Sequence, residues 1–444
     1  MSQQNPLTLV TPIKPERLAE LYKVLSNMKY RLEKGEHELF EKNNNIHYLR
    51  WLVIDDENSV FFNGTKKNPK LVFSSNFDGE VLAHIADLSS DMEHQLLDEI
   101  YSCCIDYPEP DNCNAKTRAA FLKKSMIKVS AFYKGSPGRS LKQIREEQDL
   151  RMYLRKKLDT ENWSGLTAQQ IHQKLKKDVR ENAAFSFLNK KYSMPKINWF
   201  KFALLVIVLL ALLPIIIIWI LIVEFAYERK DVHYTKTRSD LDADKIKILE
   251  EYEDLTSGED LSKEEQAIDG VLVKDKVINY QNQFSQLVEM KEGKVRLITF
   301  KAMMLFAKTL IPIKFVEGEL MGIPTIHFAR WVLFDDNKRV LFFSNFDGSW
   351  QQYLGDFIDQ SGWGLTGIFS NTKVFPKTRF LLTGGAYDEE HFLAWSRDSE
   401  LPTQIWYSAY PSLSIKNINN NTQIRVLFSK NLNAKKAKKL FELI

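Results

Sequence analysis

At 444 residues, 44% of them hydrophobic and 27% charged, the chain exceeds a single ordinary core and suits two domains with connectors. Its net charge of +4 averages a basic stretch from Lys116 to Lys201 and an acidic one from Glu224 to Glu292. No recognition module accompanies the basic stretch, which excludes nucleic acid as the expected partner and leaves a solvated helical surface or anionic lipid headgroups.

Cys103, Cys104 and Cys113 form no CxxC pair, so they read as free thiols of a reducing compartment. The amino terminus, Met1 to Pro6, shows no basic segment followed by an apolar core. No cleaved secretory signal is therefore expected, and the first domain is placed in the cytoplasm. Hydrophobic periodicity then predicts a strand at Leu7–Val10, a helix from Pro15 to Leu32 and a strand from Ile46 to Ile54. A surface hairpin insertion follows over Glu57–Lys70, then a strand at Leu71–Ser75. The turn Asn76-Phe77-Asp78-Gly79 leads into a helix containing Val81, Ile85, Leu88, Leu96, Leu97 and Ile100, and a last strand spans Met126–Tyr133. Gly135-Ser136-Pro137-Gly138-Arg139-Ser140 lacks a Walker ending and reads as a turn before a helix capped by Ser140 with Gln143.

From Phe202 to Val223 there is no charged residue. As a helix that run reaches about 33 Å, enough for a hydrocarbon core of about 30 Å. Trp199, Phe200, Phe225 and Tyr227 stand as interfacial aromatics. Lys190, Lys191, Lys196 and Lys201 before it balance Arg229, Lys230, Lys236 and Arg238 after it, so charge gives no orientation. A single span would set the flanking domains on opposite sides. A turn at Pro214 would make a re-entrant hairpin and return both to the cytoplasm, the arrangement that pairing of the domains favours.

Beyond the segment, Ser239–Asp269 reads as a charged linker with a capping box at Ser262-Lys263-Glu264-Glu265. The second half repeats the first. Ile46-His47-Tyr48-Leu49-Arg50-Trp51 recurs as Ile326-His327-Phe328-Ala329-Arg330-Trp331, each followed by Asp-Asp, and Ser75-Asn76-Phe77-Asp78-Gly79 recurs as Ser344-Asn345-Phe346-Asp347-Gly348. Strands are predicted at Phe284–Met290, Ile326–Phe334, Val340–Ser344 and Thr378–Thr383, with helices at Leu297–Leu310 and Ser349–Ile358. The order strand, helix, strand, strand, helix, strand is ferredoxin-like, and two such sheets closing face to face would bury their apolar faces as an α+β barrel. The domains expected are 1–160 (first repeat), 161–199 (basic connector), 200–227 (membrane segment), 228–279 (charged linker) and 280–444 (second repeat).

The second-repeat pattern, with Gln281-Asn282-Gln283 ahead of it and Leu341 to Trp350 and Tyr353 to Asp359 behind it, resembles an uncharacterised family of bacterial membrane-associated proteins. The likeness covers most of the second half and the first more faintly. The resemblance implies a fold of the dimeric α+β barrel group, which includes haem proteins, although the chain has no residue-by-residue match to a haem-peroxidase motif and fold carries no function with it.

Alternation along a strand sets His327 with Trp331, and His47 with Trp51, on one face, with Arg330 and Arg50 on the other. A strand His beside a Trp inside a barrel could ligate haem iron or move a proton, against a hydrogen-bonded structural His. Arg330 and Arg50 could hold a carboxylate or phosphate, against an ion pair to Asp335 or Asp55. Asn345, Asp347 and Gly348, with Asn76, Asp78 and Gly79, could line a barrel mouth, against Asp347 and Asp78 capping a helix. His391 has no second His at helical spacing and is no zinc motif. The expectation is a membrane-tethered barrel binding a small apolar ligand, haem or lipid, with oxidative chemistry, against a non-enzymatic membrane scaffold. Membrane lipid and that ligand are the expected partners, with a second copy of the chain admitted.

Overall fold

The computed structural model describes residues 3–34, 45–55, 69–90, 94–190, 192, 194–251 and 280–444. The predicted capping box at 262–265, Lys191 and nearly all of the predicted hairpin insertion lie outside them.

The first half runs β1 (Gln4–Pro12), α1 (Leu18–Glu33), β2 (Ile46–Ile54), β3 (Lys70–Asp78), α2 (Val81–Leu88), α3 (His94–Tyr101), α4 (Ala115–Lys124), β4 (Ala131–Lys134) and α5 (Leu141–Thr160). After α6 (Ala168–Glu181) come the apolar helix α7 (Trp199–Ala226) and α8 (Ala243–Glu251). The second half supplies β5 (Gln281–Glu289), α9 (Lys294–Lys314), β6 (Ile326–Phe334), β7 (Arg339–Asp347) and α10 (Trp350–Phe369). Then follow β8 (Thr378–Arg379), β9 (Thr383–Gly384), α11 (Glu389–Asp398), β10 (Ile405–Ser408), α12 (Ile415–Phe428) and α13 (Ala434–Phe441).

Two four-stranded antiparallel sheets form, in the orders β1-β3-β2-β10 and β4-β6-β7-β5. Each takes its short fourth strand from the other half: Ile405 pairs with Trp51 on β2, and Ala131 with Trp331 on β6. One face of each sheet is buried under its own helices, around Leu49, Trp51 and Phe73 in the first half and Ala329, Trp331 and Phe342 in the second. Their other faces meet through Leu52, Ile54 and Val72 against Val332, Leu341 and Phe343. Alternation explains this division, since each apolar strand carries one side chain to the helices and the next to the opposing sheet. Beyond the sheets, α5 and α6 pack on α12 and α13 through Leu150, Leu175, Ile424 and Leu440.

The fold is therefore mixed α+β with open sheets, two of four strands and one of two, rather than a closed barrel of two ferredoxin-like repeats. The connecting segments explain the difference. Met126 makes one bridge to Leu9, and Glu400 one to Gln286, before the chain crosses to the other sheet as a four-residue strand. Neither bridge extends into a ladder on its own half's sheet. The strand predicted over Thr378–Thr383 is instead the tight hairpin β8–β9, with Phe380 and Leu381 at positive φ in its turn. The strand that the second half gives to the first sheet is Ile405–Ser408, which the sequence pattern did not predict. At Pro214 the apolar helix continues unbroken, so no re-entrant hairpin forms there.

Candidate functional site

The repeated residues converge on the seam between the sheets. Arg50, on the β2 face turned towards the second half, donates through Nη1 to the Phe284 carbonyl (2.9 Å), Gln283 Oε1 (3.0 Å) and Ser285 Oγ (2.8 Å). Its Nη2 donates to the Ser344 carbonyl (2.9 Å) and to Asn345 Oδ1. Arg330 repeats this in reverse, donating to the Leu7 carbonyl (2.8 Å), Thr8 Oγ1 (3.1 Å), the Ser75 carbonyl (2.8 Å) and Asn76 Oδ1. Asn76 and Asn345 are thus acceptors for the opposite half's arginine, and the arginines are held by carbonyls, amides and hydroxyls, not by Asp55 or Asp335. Asp335 instead pairs with Lys70 and, at 3.6 Å, with Arg339. Burial pulls the Arg50 guanidinium down to about 9 and holds Arg330 well below its ordinary value, with Arg50 adding repulsion. The cost of two buried like charges is met by dipoles on both sheets.

The histidines leave the face that strict alternation assigns them. Register shifts between Ile46 and Tyr48, and between Ile326 and Phe328, place each His in a bulge. A bulge re-aims its side chain. His47 and His327 turn to the end of the seam, with the His47 ring 5.5 Å from Phe328 and the His327 ring 5.5 Å from Tyr48. Trp51 and Trp331 stay on the helix side against Phe73 and Phe342, so His and Trp do not form one site.

Each His meets the Asp of its own repeat: His47 Nε2 lies 3.2 Å from Asp78 Oδ1, and His327 Nε2 2.7 Å from Asp347 Oδ1. The second carboxylate oxygen caps a helix, Asp78 accepting from the Leu141 N–H (2.7 Å) and Asp347 from the Ile415 N–H (2.8 Å). The capped helices are α5 and α12, far along the chain, not those that follow the Asn-Phe-Asp-Gly turns. Gly79 and Gly348, at φ of +103° and +87°, make those turns. A Cβ at Gly79 would meet nothing, so it is the backbone angle that requires glycine there.

Tyr410 was missed by sequence reasoning, although its signal is present. Tyr133-Lys134-Gly135-Ser136-Pro137, leading to Ser140-Leu141-Lys142, recurs as Tyr407-Ser408-Ala409-Tyr410-Pro411, leading to Ser414-Ile415-Lys416. The Tyr410 hydroxyl is 3.0 Å from His47 Nδ1. At the matching place, Ser136 Oγ and His327 Nδ1 are both buried without a hydrogen-bond partner. At this place the repeat is symmetric in backbone and asymmetric in its contact.

A second region is the apolar helix itself. It is long and apolar enough to cross a membrane by length and composition, and almost none of its apolar stretch is covered by protein. Leu204, Ile207, Leu210, Ile215 and Ile218 are exposed. Yet both of its ends dock on the second half. The Asn198 N–H donates to the Ile313 carbonyl (3.1 Å), and Lys314 Nζ lies 5.0 Å from the Trp199 ring centroid. Further along, Trp219 Nε1 donates to Thr299 Oγ1 (2.9 Å). At the far end Glu224 accepts from Arg379 Nη1 (2.7 Å) and the Phe380 N–H (3.1 Å), and Glu228 from the Leu381 N–H (3.1 Å). Phe380 and Leu381 hold left-handed backbone angles, which bulky residues avoid, and so turn successive N–H groups onto the two carboxylates.

Among the described residues no group of three or more His, Cys, Asp and Glu could hold a metal ion, and the three cysteines are free. Burial raises the Cys104 thiol to about 12. With open sheets there is no barrel interior among the described residues, and the seam they form offers no clear ligand or cofactor site. The expectation of an apolar-ligand or haem-binding barrel is corrected accordingly. No family model, curated protein or solved structure matches the chain, so the resemblance to a bacterial membrane-associated family is not upheld either.

Proposed function

We propose that the chain is a membrane-surface protein whose two interleaved halves sit on one side of the bilayer, with α7 lying along the body at the bilayer's edge. The observation that carries this reading is that both ends of α7 dock on one folded unit. Five exposed Leu and Ile side chains at about 2 kcal/mol each would cost about 10 kcal/mol in water, as much as the net stability of a typical domain. Lipid is the environment that removes this cost. Were α7 to span the bilayer in this arrangement, α9 would have to cross beside it. Lys301 and Lys308 on α9 are exposed, and each would cost roughly 2.5–3.5 kcal/mol at the bilayer centre. An in-plane helix ordinarily carries its own polar face. α7 has none, and α9 with the body behind it supplies one.

The seam residues His47, Asp78, Arg50, Asn76, His327, Asp347, Arg330 and Asn345 serve, in this reading, to lock the halves together. The hydrogen bonds of Arg50 to Asn345 and of Arg330 to Asn76 across the two sheets support that role, and each His–Asp pair fixes its own half at the seam. The test of the membrane arrangement uses an impermeant maleimide on sealed vesicles carrying Lys196→Cys or Lys230→Cys protein, scored against the native thiols. Labelling of both sites from the same side is the result expected. Labelling from opposite sides would make α7 a single span and end the proposal.

A further inference from the structure

Near the amino-terminal end of α7, a groove of about 420 Å³ opens between β4, the Ser136–Arg139 turn and the carboxyl-terminal end of α9. Its walls are apolar, with Phe132, Ile311, Pro312 and Phe315 among them, and Pro195, just ahead of α7, forms part of its rim. Among the described residues, the charged ones lining it are Lys134 and Lys308, and no carboxylate lines it. Lys308 is exposed and Lys134 half-buried, and burial lowers the Lys134 ammonium from its ordinary value. Lys134 Nζ has a long contact (3.4 Å) with the Gln4 carbonyl, and its ammonium lies 5.9 Å from the Phe132 ring centroid.

We propose that this groove holds one anionic phospholipid of the membrane on which the protein sits, its phosphate between Lys134 and Lys308 and an acyl chain along Phe132, Ile311 and Phe315. The inference rests on the membrane-surface reading. Three features select this occupant. Two cations without a counter-charge at the lip call for an anion, and a phosphate spreads its charge over oxygens that both ammonium groups can reach. Apolar walls call for a hydrocarbon attached to that anion. The third is position. The Asn198 to Ile313 contact ties the start of α7 to the same turn of α9 that carries Ile311 and Pro312, so the groove opens where α7 meets lipid. A cytosolic phosphate would satisfy the lysines and leave the walls exposed to water. A zwitterionic lipid would fill the walls and bring its own cation against the lysines.

The experiment is native mass spectrometry of the full-length protein released from nanodiscs of equal phosphatidylcholine and phosphatidylglycerol. The wild type is expected to retain one phosphatidylglycerol at least fivefold over phosphatidylcholine. Lys308→Glu, at an exposed position where folding tolerates the change, should bring that ratio to about one, while Lys439→Ala, exposed on α13 and outside the groove's lining, should leave it unchanged. Equal retention of the two lipids by the wild type would overturn the proposal, as would an unchanged ratio in Lys308→Glu. Displacement of the retained lipid by millimolar inorganic phosphate would assign the lysines to a free anion and overturn it as well. The maleimide test reads the membrane arrangement separately, so failure of the groove and failure of the membrane reading are distinguishable.

Discussion

The two halves share a backbone plan and differ in what fills two matching positions. His84 of the first half stacks on Phe77 with ring centroids 3.8 Å apart and lies 2.9 Å from Ser75 Oγ; Tyr353 of the second stacks on Phe346 at the same 3.8 Å, its hydroxyl buried without a hydrogen-bond partner. Ser136 of the first half stands where the second has Tyr410. Duplication preserved the paired arginine contacts of Arg50 and Arg330 that join the halves, while drift occurred both at His84 and Tyr353, whose ring contacts stay within one half, and at Tyr410, whose contact with His47 crosses between them. The shared arginines are therefore best understood as the terms of an interface.

The largest effect expected follows from that interface. Arg50→Met and Arg330→Met each leave several buried acceptors on the opposing sheet without a donor, and each should destabilise the protein by about 3–5 kcal/mol in denaturant titrations of the detergent-solubilised chain. Similar losses for the two would support the symmetry of the seam, whereas a small loss at one would break it.

His84 gives the next effect. Burial holds its folded pKa at about 3, against about 6.5 unfolded. Between those values the unfolded chain binds the extra proton, so stability rises with pH across the window and is lost as pH falls from about 6.5 towards 3, at up to about 1.4 kcal/mol per unit. His84→Tyr, which copies the second half, should flatten that part of the profile. An unchanged acid slope would mean that other groups carry it.

Smaller effects test the asymmetric contact. Tyr410→Phe should cost about 1 kcal/mol by removing the hydroxyl beside His47. Ser136→Ala should be nearly neutral, since its hydroxyl has no partner to lose. At the end of α7, Glu224→Ala should speed tryptic cleavage at Arg379 several-fold by releasing the Phe380 N–H and the arginine together. Cleavage at the wild-type rate would show that Glu228 alone holds that end.

Much of the local structure was legible in the sequence. Periodicity placed β2 and β6 at their observed limits because alternating burial on both faces leaves a run of apolar residues that only a central strand accommodates. Ser140 Oγ accepts from the Gln143 N–H as expected, although the reciprocal half of the box is not made, because the Gln143 side chain donates to Glu147 instead. What was not legible lies in long-range choices. Nothing local in Ala131–Lys134 or Ile405–Ser408 says which sheet they will join, because a four-residue strand carries too little pattern to specify a partner. Strict alternation misplaced His47 and His327 because a bulge of one residue reverses the facing of everything beyond it. The capping role of Asp78 and Asp347 was visible, but their target helices were not, since a cap across such a sequence distance depends on the strand exchange.

The central claim is that α7 lies against α9 along the body instead of leaving it to cross the bilayer. Cysteines introduced by Trp219→Cys and Thr299→Cys, treated with a short bis-maleimide in native membranes, test this directly. The account predicts an intramolecular cross-link, seen as a mobility shift that survives denaturation and is lost in either single variant. Labelling of both cysteines with no cross-link between them would contradict it and would set α7 apart from the folded halves.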